Sequence, residues 1–349
     1  MSQATANVKR RPRLRRADCS GPGLRRVRRG RGFSYADQDD RPITDPQVLE
    51  RLRALAIPPA WRNVWICPDP MGHLQATGID AAGRKQYLYH QRWRERRDQQ
   101  KFDRLLRFGS ALPELRRRID ADLRGSEPTR QRVLACAVRL LDIGLFRVGS
   151  EEYADDEGGL GLATICKEHV SLNGSSVVFD YLGKGGSRRV LKIRDPACRP
   201  LIATLRRRRG GGEQLLAYRD GRRWSDLRSD DINDYLKEQI GDDFSAKDFR
   251  TWNATVVAAV SLAAQTEGPA LKTARKREID KAVRHVAELL GNTPAVARRS
   301  YIDPRVFDRY QSGSAVAAAL GSALELDAVN DRARARIESA VLDLLRDGA

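Results

Sequence analysis

The chain has 349 residues, 41% of them hydrophobic and 32% charged, enough for two or three domains with real cores. Lys and Arg number 64 against 46 Asp and Glu, giving +18 and a pI near 10.1, a balance that points to a polyanionic partner. The longest apolar run, Thr255 to Ala264, is too short to cross a bilayer, and no apolar segment follows the N-terminal arginines as a secretory signal requires, so the expected setting is the cytoplasm, on the nucleoid.

Residues 1–31 hold ten arginines, one lysine and a single acid, Asp18, and read as a disordered basic tail. Residues 32–110 read as a small β-rich domain. Asp45 to Ala56 has helical spacing ended by Pro58 and Pro59, and the runs Val64-Trp65-Ile66, His73 to Gly78 and Gln86 to Tyr89 have the look of strands and turns. A basic helix from Gln91 to Arg107 leads out of it. Residues 111–312 form a larger, mainly helical domain. Gln131 to Ile143 places Val133, Leu134, Ala137, Val138 and Leu141 on one face. Ser176 to Leu182 and Arg189 to Ile193 flank Gly183-Lys184-Gly185-Gly186, which reads as a β-hairpin with a lysine at its tip. Pro196 to Arg208, Thr251 to Ala264 and Glu278 to Leu290 read as helices. Gly291 fits a C-terminal cap and Thr293-Pro294 an N-cap, so Asn292 sits in a tight turn and Tyr301 two turns beyond it. Residues 313–349 read as a C-terminal helical extension. The fold class is α+β, and no internal repeat is present.

The five cysteines are too widely spaced for a zinc set with the four histidines and read as reduced thiols. Gly183-Lys184 lacks the glycine and hydroxyl spacing of a Walker loop. Acidic pairs such as Asp155-Asp156, Asp230-Asp231 and Asp242-Asp243 read as caps and turns before they read as nuclease metal ligands. Neither ATP nor a metal cofactor is expected. With 53 arginines and only 11 lysines, the composition suggests a GC-rich bacterial genome, and a lysine at a special position carries more weight.

Cations stand at element ends: Arg147 after a buried helix, Lys184 on the hairpin, and Lys247 and Arg250 just before a helix, while Tyr301 follows Arg298 and Arg299. Singly each reads as a surface residue. Together they suit transfer of a DNA phosphodiester to a tyrosine, because arginine forks match non-bridging oxygens and a phenol of pKa about 10 leaves far more readily than a sugar alkoxide.

These residues, with Ile57-Pro58-Pro59-Ala60-Trp61, Thr77-Gly78-Ile79-Asp80, Gly83-Arg84-Lys85-Gln86-Tyr87, Lys247-Asp248-Phe249-Arg250-Thr251 and Thr293-Pro294 through Ser300-Tyr301, resemble the type IB DNA topoisomerases of poxviruses and bacteria, from about Gly32 to Tyr310. The resemblance implies a C-shaped clamp on double-stranded DNA, acting as a monomer without cofactor. It implies supercoil relaxation through a 3′-phosphotyrosyl link to Tyr301, with Arg147 and Arg250 on the scissile phosphate, Lys184 as general acid and Lys247 assisting. Asn292 stands where poxvirus enzymes carry a histidine. An amide donates a hydrogen bond but carries no proton, so it orients and does not act as acid or base. Tyr87, Tyr89 and Tyr153 match tyrosines that touch DNA, although Tyr87 and Tyr89 also read as ordinary strand residues.

Two other readings stand beside this one. Tyrosine recombinases share the nucleophile, but they carry a histidine where this chain has Lys247, and their N-terminal domain is helical. A non-catalytic basic DNA-binding protein suits the charge but gives no reason for Tyr301 and four cations in this order.

Overall fold

A computed structural model of the chain describes residues 12–149, 159–264, 272–312 and 331–346. Two compact units part between Lys101 and Phe102, inside one helix and earlier along it than the expected boundary near 110.

The first unit is an antiparallel sheet with one whole helix and the start of the helix in which the boundary falls. The strands are β1 (Leu24–Arg29), β2 (Gly32–Ala36), β3 (Arg62–Ile66), β4 (Leu74–Ile79) and β5 (Lys85–Tyr89), in the order β2-β1-β3-β4-β5. Helix α1 (Pro46–Ala54) begins where Asp45 accepts from the amides of Gln47 and Val48, with proline at its first position. It buries Leu52 with Ile57, Val64, Ile66 and Ala76, and Trp61 and Leu88 pack on this core. The alternation of β5 turns Gln86 and Leu88 inward and leaves Lys85, Tyr87 and Tyr89 exposed on an edge strand.

The basic tail needs correction. Residues 24–29 are not a disordered arm: they form an inner strand of this sheet. The reason lies in arginine chemistry. Arg26 donates to the carbonyls of Ile57 (2.8 Å), Pro58 (2.9 Å) and Trp61 (2.8 Å), and its guanidinium lies 4.2 Å from the centre of the Phe33 ring. A long aliphatic stem ending in a five-donor fork staples the turn from Ile57 to Trp61 to the strand, so a charged run folds.

The second unit is mainly helical. It starts within α2 (Gln91–Asp122) and continues through α3 (Arg130–Gly144), a meander of β6 (Val170–Asn173), β7 (Ser176–Gly183) and β8 (Ser187–Ile193), and α4 (Cys198–Arg207). A hairpin of β9 (Ala217–Asp220) and β10 (Arg223–Asp226) follows. Then come α5 (Ser229–Ile240), α6 (Ala246–Ala263), α7 (Lys272–Leu290), α8 (Pro294–Ser300), α9 (Pro304–Gln311) and α10 (Asp331–Arg346). Helix α3 is apolar nearly all round, with Val133 through Val138, Leu140 and Leu141 all buried, and so sits at the centre. Trp252 of α6 is fully buried, and a Cβ at Gly109 of α2 would lie 2.6 Å from its ring, so the two helices meet at van der Waals contact. A β-rich first unit and a helical second one give the α+β class. Among the described residues no helix is long and apolar enough to cross a membrane.

Candidate active site

The site is assembled around the C-terminal end of α7. The last carbonyls of a helix have no partners within it and carry the negative end of its dipole. Here three arginines from distant parts of the chain take them in turn. Arg189 of β8 donates to Glu288 O (3.1 Å) and to Leu289 O, Arg250 of α6 to Leu290 O (2.9 Å), and Arg147 to Gly291 O (3.2 Å). This acceptor row offsets the repulsion among three guanidiniums and fixes their order. Gly291, at φ 59°, lets the chain turn away from the helix end, and Thr293 then caps α8 by accepting from the amide of Val296.

Arg147 also donates to Asn292 Oδ1. Because arginine only donates, the amide must present its oxygen there and its NH2 elsewhere. Asn292 Nδ2 and Arg250 Nε are both buried and have no hydrogen-bond partner. An unpaired buried donor costs about 1–3 kcal/mol unless an acceptor arrives, so each of the two is free to take an acceptor oxygen. Arg250 further donates to Leu145 O, and its guanidinium carbon stands 5.3 Å from the centre of the half-buried Tyr301 ring. Burial, followed by the neighbouring Arg147 charge, lowers the Arg250 pKa to about 10, with Tyr301 acting in the opposite direction. It remains cationic at neutral pH. The same cluster bears on Tyr181 of β7, whose phenol is pushed up by burial while the charges of Arg189, Arg250 and Arg147 pull it down.

Each functional side chain has a local reason for its place. Arg147 lies just past α3, where Leu145 adopts a left-handed conformation (φ 55°), and its backbone is pinned by Leu162 N to Arg147 O (2.8 Å) and Ala163 N to Val148 O (2.7 Å). Arg250 rides one turn into α6, whose start is closed by Asp248 accepting from Ser245 N (2.8 Å) and Ser245 Oγ (3.2 Å) and pairing with Arg104 (2.9 Å). Lys247 and Arg250 therefore sit inside the first turns of a helix, not before it as the sequence suggested. Tyr301 closes α8, its amide donating to Ala297 O (3.0 Å). Behind it Thr255 Oγ1 accepts from Asp303 N (3.1 Å) and lies 3.4 Å from Tyr301 O.

The fold thus brings Arg147, Arg250, Asn292 and Tyr301 together. Lys184 is exposed on the β7–β8 turn, where Gly185 and Gly186 take φ of 73° and 71°, and its neighbour Gly183 approaches the Arg147 guanidinium: a Cβ there would be 3.9 Å from Arg147 Nη1. Lys247 is exposed one helical turn before Arg250 and lines a groove of about 480 Å³ with Val148, Asn233 and Asp234. Tyr87 and Tyr89 belong to the first unit, where their exposed rings stack at 6.2 Å and 14°, with Lys85 Nζ 5.8 Å from the Tyr87 ring. Tyr153 lies outside the described residues. Sequence reasoning missed Arg189. Its only signal is its place opposite Tyr181 across the hairpin, which is visible once the register is known. Among the described residues no three metal-ligating side chains gather, and all five cysteines are unbridged.

The chain resembles one class of known protein, the DNA topoisomerases. It matches the eukaryotic DNA topoisomerase I catalytic core over residues 90–319 and the bacterial DNA topoisomerase IB N-terminal domain over residues 32–80. It is 30% identical over 297 residues to the DNA topoisomerase 1B of Acanthamoeba polyphaga mimivirus, covering 83% of this chain and 88% of that one. It is 19% identical over 274 residues to the vaccinia virus (strain Copenhagen) DNA topoisomerase 1B, covering 76% and 83%. To the DNA topoisomerase 1 of Schizosaccharomyces pombe it is 29% identical over 167 residues, 47% of this chain but only 19% of that protein. The chain belongs to the type IB DNA topoisomerase family. Its enzyme class is that of the family, a DNA topoisomerase.

Proposed function

We propose that the protein relaxes supercoiled double-stranded DNA by a transient single-strand cut, strand rotation and resealing, with no ATP and no metal. Tyr301 Oη loses its proton to water and attacks the scissile phosphorus, the bond to the 5′-oxygen breaks, and the 3′ end is held as a phosphotyrosyl ester. One phosphodiester is exchanged for another, so the step needs no external energy source, and the phenolic ester is reversed by the returning 5′-hydroxyl. Arg147 and Arg250 stabilise charge on the non-bridging oxygens, and Asn292 adds a neutral donor. Lys184, on its glycine-flanked turn, protonates the leaving 5′-oxygen, with Lys247 assisting. Tyr87, Tyr89 and Tyr153 contact the DNA, the enzyme acts as a monomer, and its place is the nucleoid in the cytoplasm.

The observation that carries this reading is the unpaired buried donor Arg250 Nε, on a guanidinium whose carbon lies 5.3 Å from the centre of the Tyr301 ring, with a second unpaired buried donor, Asn292 Nδ2, on the side chain that Arg147 holds. A phosphodiester oxygen supplies the missing acceptor, and donors fixed in advance cost no reorganisation as charge develops. The test is plasmid relaxation in EDTA without nucleotide. The parent protein is expected to relax the plasmid fully and Tyr301→Phe, which loses only a hydroxyl, not at all. Relaxation by Tyr301→Phe, or a need for ATP, would refute the mechanism.

A further inference from the structure

Helix α10 bonds to α2, to α3, which leads to Arg147, and to α6, which bears Arg250. At its centre is an ion quartet made by Arg116 of α2, Asp142 of α3, and Arg334 and Glu338 of α10. Arg116 donates to Asp142 from Nε (2.8 Å) and Nη2 (3.0 Å), and to Glu338 from Nη1 (2.6 Å) and Nη2 (2.8 Å). Arg334 donates to Glu338 from Nε (3.0 Å) and to the Asp142 carboxylate from Nη1 (3.2 Å) and Nη2 (2.7 Å). Two cations and two anions cancel, and both carboxylates are buried, Asp142 to 1% exposure and Glu338 to 5%. Burial alone would raise the Asp142 pKa, but Arg334 and Arg116 outweigh it and hold the carboxyl below its ordinary value.

Stability is a weak explanation for such a group, since apolar residues of the same shape often do as well. Geometry offers a better one. Arg334 Nη2 also donates to the backbone carbonyl of Asp142 (2.9 Å) and to Asn253 Oδ1 (3.3 Å), while Asn253 Nδ2 donates to that same carbonyl (2.8 Å). Asp142 lies in the last turn of α3, five residues before Arg147. Asn253 lies in α6, three residues after Arg250. One guanidinium from α10 therefore ties the end of the helix that leads to Arg147 to the helix that bears Arg250.

We infer that Arg334, braced by Glu338, is a positioning residue that sets the register between α3 and α6 and through it the spacing of Arg147 and Arg250. The C-terminal extension thereby becomes a working part of the catalytic unit. The inference rests on the reading that those two arginines share the scissile phosphate.

The test is single-turnover cleavage of a duplex substrate by the full chain carrying Arg334→Lys, with DNA affinity measured in a Tyr301→Phe background. Lysine keeps the charge, but a single ammonium cannot reproduce the planar fork that spans two carboxylates, a carbonyl and an amide from separate nitrogens. Cleavage should fall about tenfold, within the cost of a sub-ångström misplacement of catalytic groups, with DNA Kd unchanged. Glu338→Gln, a milder variant of equal shape, should show the same effect more weakly. In an Arg147→Ala chain Arg334→Lys should cost nothing further, because there is no spacing left to set, whereas simple loss of folded protein would lower both backgrounds equally. Parent-rate cleavage by both variants, or the same fold-loss in both backgrounds, would overturn the inference. If Arg147→Ala itself cleaved at the parent rate, the reading beneath would fail and take this inference with it.

Discussion

At the scale of single residues, charge stabilisation and proton transfer fall to different side chains. Arg147→Ala and Arg250→Ala should each slow cleavage by at least about a hundredfold, the scale for losing one fixed oxyanion donor. Lysine at either position should recover little, because Arg250 divides its donors between two carbonyls and leaves Nε for a ligand, a division an ammonium cannot make. Wild-type cleavage by both lysine variants would remove the arginines from the phosphate. Lys184→Ala should cleave an ordinary phosphodiester slowly but recover on a substrate with a bridging 5′-sulfur, since a thiolate (pKa about 8.5) leaves without a proton. Arg147→Ala should show no such recovery, and equal defects of Lys184→Ala on both substrates would end its role as acid. Arg250, Asn292 and Tyr301 were legible in the sequence because each sits in or beside a motif of the family, and Arg147 because it follows a long apolar helix. Arg189 was not. In a chain with 53 arginines a strand arginine gives no signal, and its meaning appears only where it meets the carbonyls of residues 288 and 289.

At the scale of elements, the site depends on how backbone segments meet. Gly161 faces the segment that bears Arg147, and a Cβ there would lie 2.4 Å from Gly149 N and 2.9 Å from Arg147 O. Gly161→Ala must therefore push apart the pairing of residues 147–148 with 162–163. Single-turnover kinetics should show cleavage reduced about tenfold or more, while DNA affinity stays near that of the parent. Unchanged cleavage would mean that this pairing does not place Arg147. Long periodic helices such as α3 and α7, and the β7–β8 hairpin with its glycines, were readable because pattern and turn chemistry agree. The start of α6 was read too late: Ser245 and Asp248 form a capping box, but the polar Ala246-Lys247-Asp248 turn hides it before the apolar run begins. Strand β1 is hidden for the opposite reason: only Leu24, Arg26 and Val27 are half-buried and four of its six residues are arginines, so no apolar alternation marks it.

At the scale of the whole molecule, a net charge of +18 makes binding to DNA salt-dependent. Each phosphate contact contributes a slope of about −0.9 in log affinity against log salt, so relaxation should be processive at low salt and distributive as salt rises. Relaxation that stayed processive at every salt concentration would argue against a phosphate-dominated grip. Strand β1 lies within the basic N-terminal segment. Removing residues 1–31 takes out an inner strand and should unfold the first unit, so it cannot serve as a test of tail electrostatics. The central claim is that Tyr301, set beneath the arginines at the end of α7, becomes covalently joined to the 3′ side of the cut. The most direct measurement is to trap the adduct on a suicide duplex, digest it and sequence the peptide that carries the nucleotide. The account predicts a single peptide modified at Tyr301 through a 3′-phosphate; modification of any other residue, or a 5′ linkage, would contradict it.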